Sequence, residues 1–143
     1  MSIMSVMNVM SNTKFQKPFI KWVGGKTQII NNIMSKFPKE IENYHELFLG
    51  GGSVLLALLT LKNNNEIKVN NKIYAYDINE RLINVYKHIQ NNKDELFEYI
   101  NLYINEYHII KESNGNKKPI TIEEAKTSKE SYYYWIRNKF NKI

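Results

Sequence analysis

The sequence predicts an α/β fold of parallel strands with flanking helices. Strand-like runs at Tyr44–Leu49 and Ile73–Tyr76 alternate with segments of helical period. Each strand also runs straight into a turn signal, Gly50-Gly51-Gly52 after the first and Asp77 after the second. The third observation is size. A chain of 143 residues fits one domain and can bury a working core. Two parallel strands, however, are too few to cover both faces of a sheet, so the chain reads as part of a larger fold.

Residues 1–13, MSIMSVMNVMSNT, carry no positive charge and no continuous apolar run, so they are no secretory signal. They are expected to be a disordered leader, with Met10 as a candidate true start. Phe15 to Val23 is an extended approach containing Pro18, and Gly24-Gly25 is a turn. Thr27 to about Phe37 reads as a helix, with Ile29, Ile30, Ile33, Met34 and Phe37 at helical spacing and Pro38 ending it. After the first strand, Ser53 to Lys62 is a Leu-rich buried helix suited to a βαβ crossover. Asn63 to Asn71 is expected to be an exposed polar loop. Asn79 can cap the next helix, whose stripe is Leu82, Ile83, Tyr86 and Ile89. Asp94 can cap another, with Leu96, Phe97, Ile100, Ile104 and Tyr107 on one side. Glu112 to Pro119 is a polar loop, and Thr121 with Glu124 makes a capping box. A last helix covers about Ser131 to Phe140, with Tyr133, Ile136 and Phe140 as its core face.

Composition bounds the function. There are no cysteines, which excludes disulfides and thiolate metal sites and suits an intracellular, cytoplasmic protein. The net charge of +6 favours a polyanionic partner. No stretch approaches the ~18 apolar residues of a membrane span. His45, His88 and His108 lie far apart and form no metal-ligand pattern.

Two glycine constellations carry the chemistry. In the first, Glu46-Leu47-Phe48-Leu49-Gly50-Gly51-Gly52 runs from strand to turn to helix, and Asp77 ends a second strand about twenty-five residues on. In doubly wound folds that spacing sets a carboxylate against ribose hydroxyls, so the pair describes a nucleoside pocket at the strand ends. A dinucleotide fingerprint, GxGxxG, fails here because its last position is Leu55. S-adenosylmethionine has a ribose and no pyrophosphate, needs no third glycine, and carries a sulfonium whose charge Glu46 would favour. The alternative is a plain glycine turn with an ordinary surface Asp. In the second constellation, Lys21 to Thr27 ends in GGKT. A phosphate-binding GxxxxGK[ST] loop would require glycine where Ile20 stands, which counts against a P-loop nucleotide-binding protein.

Taken together, these residues resemble the Dam-type (D12 class) DNA adenine-N6 methyltransferases. Phe19 to Lys26 is similar to that family's F-x-K-W-x-G-G-K signature. Glu46 to Val54 resembles its E-P-F-x-G-x-G-S-V loop, with Leu47 replacing the proline. Ala75 to Asn79 with Leu82, Ile83 and Tyr86 resembles D-I-N-x-x-L-I-x-x-Y, and Tyr133 to Asn141 resembles Y-Y-x-x-R-x-x-F-N. The resemblance implies a partial Rossmann-like, S-adenosylmethionine-dependent methyltransferase fold. It implies Trp22, Lys26, Phe48, Gly50, Gly52 and Asp77 as cofactor-binding residues, with Asp77 on the ribose. It also implies double-stranded DNA as substrate, with the adenine flipped into the pocket.

The chain departs from the family in one respect. The family's D-P-P-Y tetrapeptide, which holds the target amino group, is absent, since the three prolines Pro18, Pro38 and Pro119 are not adjacent. The chain is therefore expected to hold no catalytic residue and to be inactive alone. It would be a truncated enzyme, a split enzyme served by a second chain carrying the missing half, or a non-catalytic cofactor- or DNA-binding remnant. The expected segments are the leader over 1–13, an S-adenosylmethionine-binding half-domain over 14–112, and a loop and helix over 113–143 leading toward a DNA-recognition segment.

Overall fold

The structure is a computed structural model that describes residues 14–142, so the expected leader lies outside the described residues. It divides into two compact units, the first ending at Tyr86 and the second beginning at Lys87. The boundary expected at 112/113 therefore falls inside the second unit.

The first unit alternates short strands with helices. A 3-10 turn at Thr27–Ile29 leads into α1 (Ile30–Met34), which stops at Ser35, short of the expected Phe37. Strand β1 (Glu40–Ile41) and β2 (Tyr44–Glu46) follow, then α2 (Ser53–Asn63), β3 (Lys68–Val69) and β4 (Ile73–Ala75). Both strand pairings are parallel, with Glu40 opposite Lys68 in β1–β3 and His45 opposite Tyr74 in β2–β4. Helix α2 is the crossover that a parallel pairing requires.

The mixed helix–strand architecture with parallel strands agrees with the sequence, but three details differ. There are four short strands among the described residues, not two. The first predicted strand ends at Glu46 rather than Leu49, because the chain turns there to enter the glycine loop, and the second ends at Ala75 rather than Tyr76. The expected polar loop at 63–71 contains β3 and the buried Ile67. Its apolar signal is a brief alternation, Ile67 and Val69, and both residues pack into the core beside Ile41.

The core of this unit joins Ile30 and Met34 of α1 to Ala57, Leu58 and Leu61 of α2. On β2 and β4, Tyr44, Glu46, Ile73 and Ala75 are half-buried, while His45, Tyr74 and Tyr76 are exposed. The exposed rings stack, His45 on Tyr74 with centroids 4.6 Å apart and on Tyr76 at 6.0 Å.

Helix α3 (Glu80–Asn91) starts as predicted. The Asn79 side-chain oxygen accepts the Leu82 N–H at 3.0 Å, capping the first turn. Helix α4 (Lys93–Ile109) starts one residue before the predicted cap Asp94, which lies instead in its first turn, where a carboxylate meets the positive end of the helix.

In the second unit α5 (Ile122–Ala125) and α6 (Lys129–Lys142) follow α4. Half of the predicted capping box is present. The Thr121 hydroxyl accepts the Glu124 N–H at 3.2 Å, but the Glu124 carboxylate reaches Ile120 N–H instead of Thr121. The last helix begins earlier than Ser131 because Ser128 caps it, accepting the Ser131 N–H at 3.0 Å.

The core face of α6 is also corrected. Tyr132 is fully buried, whereas Tyr133 and Phe140 are 56% and 54% exposed. Tyr132 packs with Ile110 and Ala125 and donates a short hydrogen bond to the Glu106 carboxylate, which holds that carboxyl below its usual range. Tyr133, Ile136 and Phe140 do share a face, but it lines an open apolar groove of about 860 Å³ together with Ile100, Tyr103 and Tyr107 of α4. The predicted apolar side of α4 is accordingly exposed, including Phe97 and Ile104.

Leu58 is fully buried between α1 and the strands. Leu58→Ala should cost about 2–5 kcal/mol, since the cavity only partly collapses. Urea unfolding followed by near-UV circular dichroism measures it, with Tyr132→Leu as the matching probe of the second unit.

Candidate functional site

The strand ends carry the site. Past Glu46 the chain leaves β2 with Leu49 N–H still bonded to Tyr76 carbonyl at 2.8 Å, so the exits of β2 and β4 stay side by side. The loop then bends, with Gly52 N–H donating to Leu49 carbonyl at 2.8 Å. Gly50 and Gly52 have φ of +50° and +73°, the left-handed region where a side chain is strained. Asp77 closes the arrangement. Its carboxylate accepts Gly50 N–H at 2.9 Å through one oxygen and Asn79 N–H at 2.9 Å through the other. These two bonds, Asn79 first, hold the Asp77 carboxyl below its usual range.

The segment before α1 covers the loop. A Cβ on Gly50 would stand 3.1 Å from the Trp22 indole, and one on Gly51 only 2.9 Å from the Ile20 carbonyl. The glycines thus admit the chain's own Ile20–Trp22 segment. Lys26 N–H donates to the Ser53 hydroxyl at 3.1 Å, which ties the Gly24-Gly25 turn to the first residue of α2. The Lys26 amine folds back onto the Gly24 carbonyl at 2.7 Å.

A cleft of about 330 Å³ results. Of the six predicted site residues, Trp22, Lys26, Phe48, Gly50 and Asp77 line it. Phe48 stands on the rim, 88% exposed, as does Val23 at 98%. Gly52 is not on the wall. It is buried beneath Tyr86, whose hydroxyl would be 2.6 Å from a Cβ there. Sequence reasoning did not single out Ser53 or Tyr86 as site residues. Tyr86 belongs to a helical stripe and to the segment resembling D-I-N-x-x-L-I-x-x-Y, and its hydroxyl also reaches the Gly50 carbonyl at 3.4 Å. The GGKT segment does not follow a strand among the described residues, which agrees with the case against a P-loop.

Glu46 completes the wall. Burial, the dominant cause, pushes its carboxyl up to about 7, against hydrogen bonds from the Tyr44 hydroxyl at 3.2 Å and the Leu55 amide. The Leu55 amide lies in the first turn of α2, whose cap, Gly52, has no side chain to offer. Among the described residues no group of three or more His, Cys, Asp or Glu is placed to hold a metal ion, and no helix is long and apolar enough to cross a membrane.

Residues 22–143 match the family described as D12 class N6 adenine-specific DNA methyltransferase. The type II methyltransferase M.MjaIII of Methanocaldococcus jannaschii is 37% identical over 131 residues, covering 88% of this chain and 38% of that protein. The DNA adenine methylase of Haemophilus influenzae is 29% identical over 126 residues, covering 87% of this chain and 34% of its own. The chain thus spans little more than a third of these relatives' length. No solved structure matches it significantly.

Two outcomes test the geometry. Gly52→Ala should destabilise the chain by about 1–3 kcal/mol, and adding Tyr86→Phe should recover part of that by removing the obstructing hydroxyl. Glu46 sets a pH dependence. Its folded pKa is raised from 4.5 to about 7, so its contribution to stability is full below pH 4.5 and lost as pH rises through 7. Glu46→Gln should flatten the slope of melting temperature against pH across that window.

Proposed function

Because the chain belongs to the D12 class of N6 adenine-specific DNA methyltransferases, we propose that it forms the S-adenosylmethionine-binding part of a site-specific DNA adenine methyltransferase. The single observation that carries this reading is the 2.9 Å bond between Gly50 N–H and the Asp77 carboxylate, which places an ionised acceptor beside a glycine bend at two parallel strand ends. In open α/β sheets that is where nucleoside ligands lie. In this reading β2–β4 and α2 form the first βαβ turn of a Rossmann-like domain.

The residues fit the cofactor chemically. The Asp77 carboxylate uses one acceptor site per oxygen on backbone amides and has lone pairs left for the ribose hydroxyls. Trp22, 40% exposed, offers an indole surface for the adenine or the methionine chain. The Lys26 amine has two donors left for the methionine carboxylate. Phe48 supplies an apolar rim, and Gly52 contributes the left-handed turn that starts α2. When bound, the cofactor supplies an activated methyl group on a sulfonium.

The substrate in this reading is double-stranded DNA, in keeping with the net charge of +6. Transfer itself needs a group to accept the adenine amino protons. The D-P-P-Y tetrapeptide is not among these 143 residues, so these residues alone are not expected to methylate DNA. In this reading a D-P-P-Y tetrapeptide from outside these residues, for example on a second chain, would supply it, and the site of action is inside the cell.

Calorimetric titration of the chain with S-adenosylmethionine should give saturable one-to-one binding. Asp77→Ala should weaken it about ten- to a hundredfold, equivalent to ~1–3 kcal/mol, by removing ribose bonds and releasing the loop. Unchanged affinity would remove Asp77 from the site. Methyl incorporation into DNA by this chain alone would show that the acceptor group lies within it.

A further inference from the structure

The loop between α4 and α5 is fastened at two points and free between them. The Ser113 hydroxyl donates to the Thr127 carbonyl at 2.6 Å, and Asn116 N–H donates to the Ser131 hydroxyl at 2.7 Å. Between these anchors stand Asn114 and Gly115, both exposed. Among the described residues neither has a hydrogen-bond partner. They form the one Asn-Gly pair in the sequence. We propose that Asn114 is a site of self-modification, where the side-chain amide is lost to attack by the Gly115 backbone nitrogen, and that the isoaspartate so formed unlocks the loop from α6. No residue of the strand-end cleft takes part.

The chemistry needs only water. The Gly115 nitrogen gives its proton to hydroxide and attacks Asn114 Cγ. The new C–N bond closes a succinimide ring. The bond from Cγ to the side-chain nitrogen breaks, and that nitrogen takes a proton from water and leaves as ammonia. Water then opens the ring. Addition at Cγ gives aspartate with the original main chain. Addition at the backbone carbonyl gives isoaspartate, whose main chain runs through the former side chain.

Three features of the loop favour the attack. Glycine after Asn114 puts no Cβ beside the reacting nitrogen. The Gly115 N–H has no hydrogen bond to break first. The Asn114 side chain is likewise untethered, whereas asparagine side chains commonly bond to nearby backbone. Packing also retains the glycine. A Cβ on Gly115 would collide with the Glu130 carboxylate and stand 2.8 Å from the Glu130 Cβ. The contact that demands glycine therefore keeps the reaction open.

The two products act differently on the fold. Isoaspartate adds one carbon to the main chain between the anchors. One anchor, the Ser131 hydroxyl, cannot follow, because Ser131 is buried in the first turn of α6 and lies 2.8 Å from the Ser128 hydroxyl. The new carboxylate also arises beside Glu130, which already packs on Gly115 and pairs with Lys117 at 3.6 Å. Like charges repel at that range. The Asn116–Ser131 bond, two residues from the lesion, is the one that opens. Aspartate keeps the main-chain length and both anchors.

The test incubates the full chain at pH 7 and pH 8, then maps each asparagine by mass spectrometry with electron-transfer fragmentation, which separates isoaspartate from aspartate. Asn114 should convert first, and about tenfold faster at pH 8, in proportion to the deprotonated amide. Asn116 is the control in the same loop. Its side-chain oxygen holds Lys118 N–H at 2.9 Å and a lysine follows it, so it should stay intact. Asn114→Gln should abolish the reaction, since its longer side chain closes the ring poorly. Equal conversion at Asn114 and Asn116, or a rate level with pH, overturns the site. Hydrogen exchange reads the second half of the proposal. The Asn116 amide should exchange about tenfold faster in the isoaspartyl form, the loss of one hydrogen bond, and at the unmodified rate in Asn114→Asp. Unchanged exchange in the isoaspartyl form overturns the unlocking and leaves the site standing.

Discussion

At the exits of β2 and β4 the backbone has to turn away from the sheet while keeping two strand ends together, and the Asp77 carboxylate does this by accepting Gly50 N–H across the gap. The same carboxylate takes Asn79 N–H, so one side chain fixes both the glycine loop and the entry to α3. Amides bonded to an ionised acceptor form stronger bonds than neutral pairs. The shape of the cleft, the path of the loop and the start of two helices all depend on that contact.

The glycine loop shows why small residues are needed there. Gly50 and Gly52 supply left-handed backbone, and Gly51 leaves space for the Ile20 carbonyl. The loop is therefore packed from outside by Trp22 and from beneath by Tyr86. One consequence is that α2 begins without a side-chain cap. Of its first-turn amides, that of Leu55 faces the Glu46 carboxylate on the preceding strand. A residue that lines the cleft thus also lies against the start of a helix, and its raised pKa ties its protonation to stability.

Several apolar surfaces are exposed. Stacked His45, Tyr74 and Tyr76 lie on the outer side of β2–β4, and Val23, Phe48 and Ile78 stand out around the strand ends. Parallel strands are ordinarily covered on both faces. In the second unit the α4–α6 groove exposes aromatic and aliphatic side chains from both helices. The M.MjaIII methyltransferase and the Haemophilus influenzae methylase are each more than twice this chain's length.

Local chemistry made much of the protein legible in its sequence. The alternation of strand, glycine turn, helix and strand predicted a parallel α/β arrangement, and Asn79 capped its helix because a cap is a contact between near neighbours. The pairing of Gly50 with Asp77 was legible too, because in a βαβ unit the crossover fixes which strand ends meet. What tertiary structure alone decided were contacts between residues distant in sequence. The strands β1 and β3 are two residues each, too short for a periodic signal, and exist because Ile41 and Val69 share the core. Tyr132 rather than Tyr133 is buried, since the partner that selects a helix face, here Ile110 and Glu106, is not encoded in the helix itself. The place of Gly52 beneath Tyr86, and the raised pKa of Glu46, likewise depend on which side chains arrive from elsewhere and exclude water.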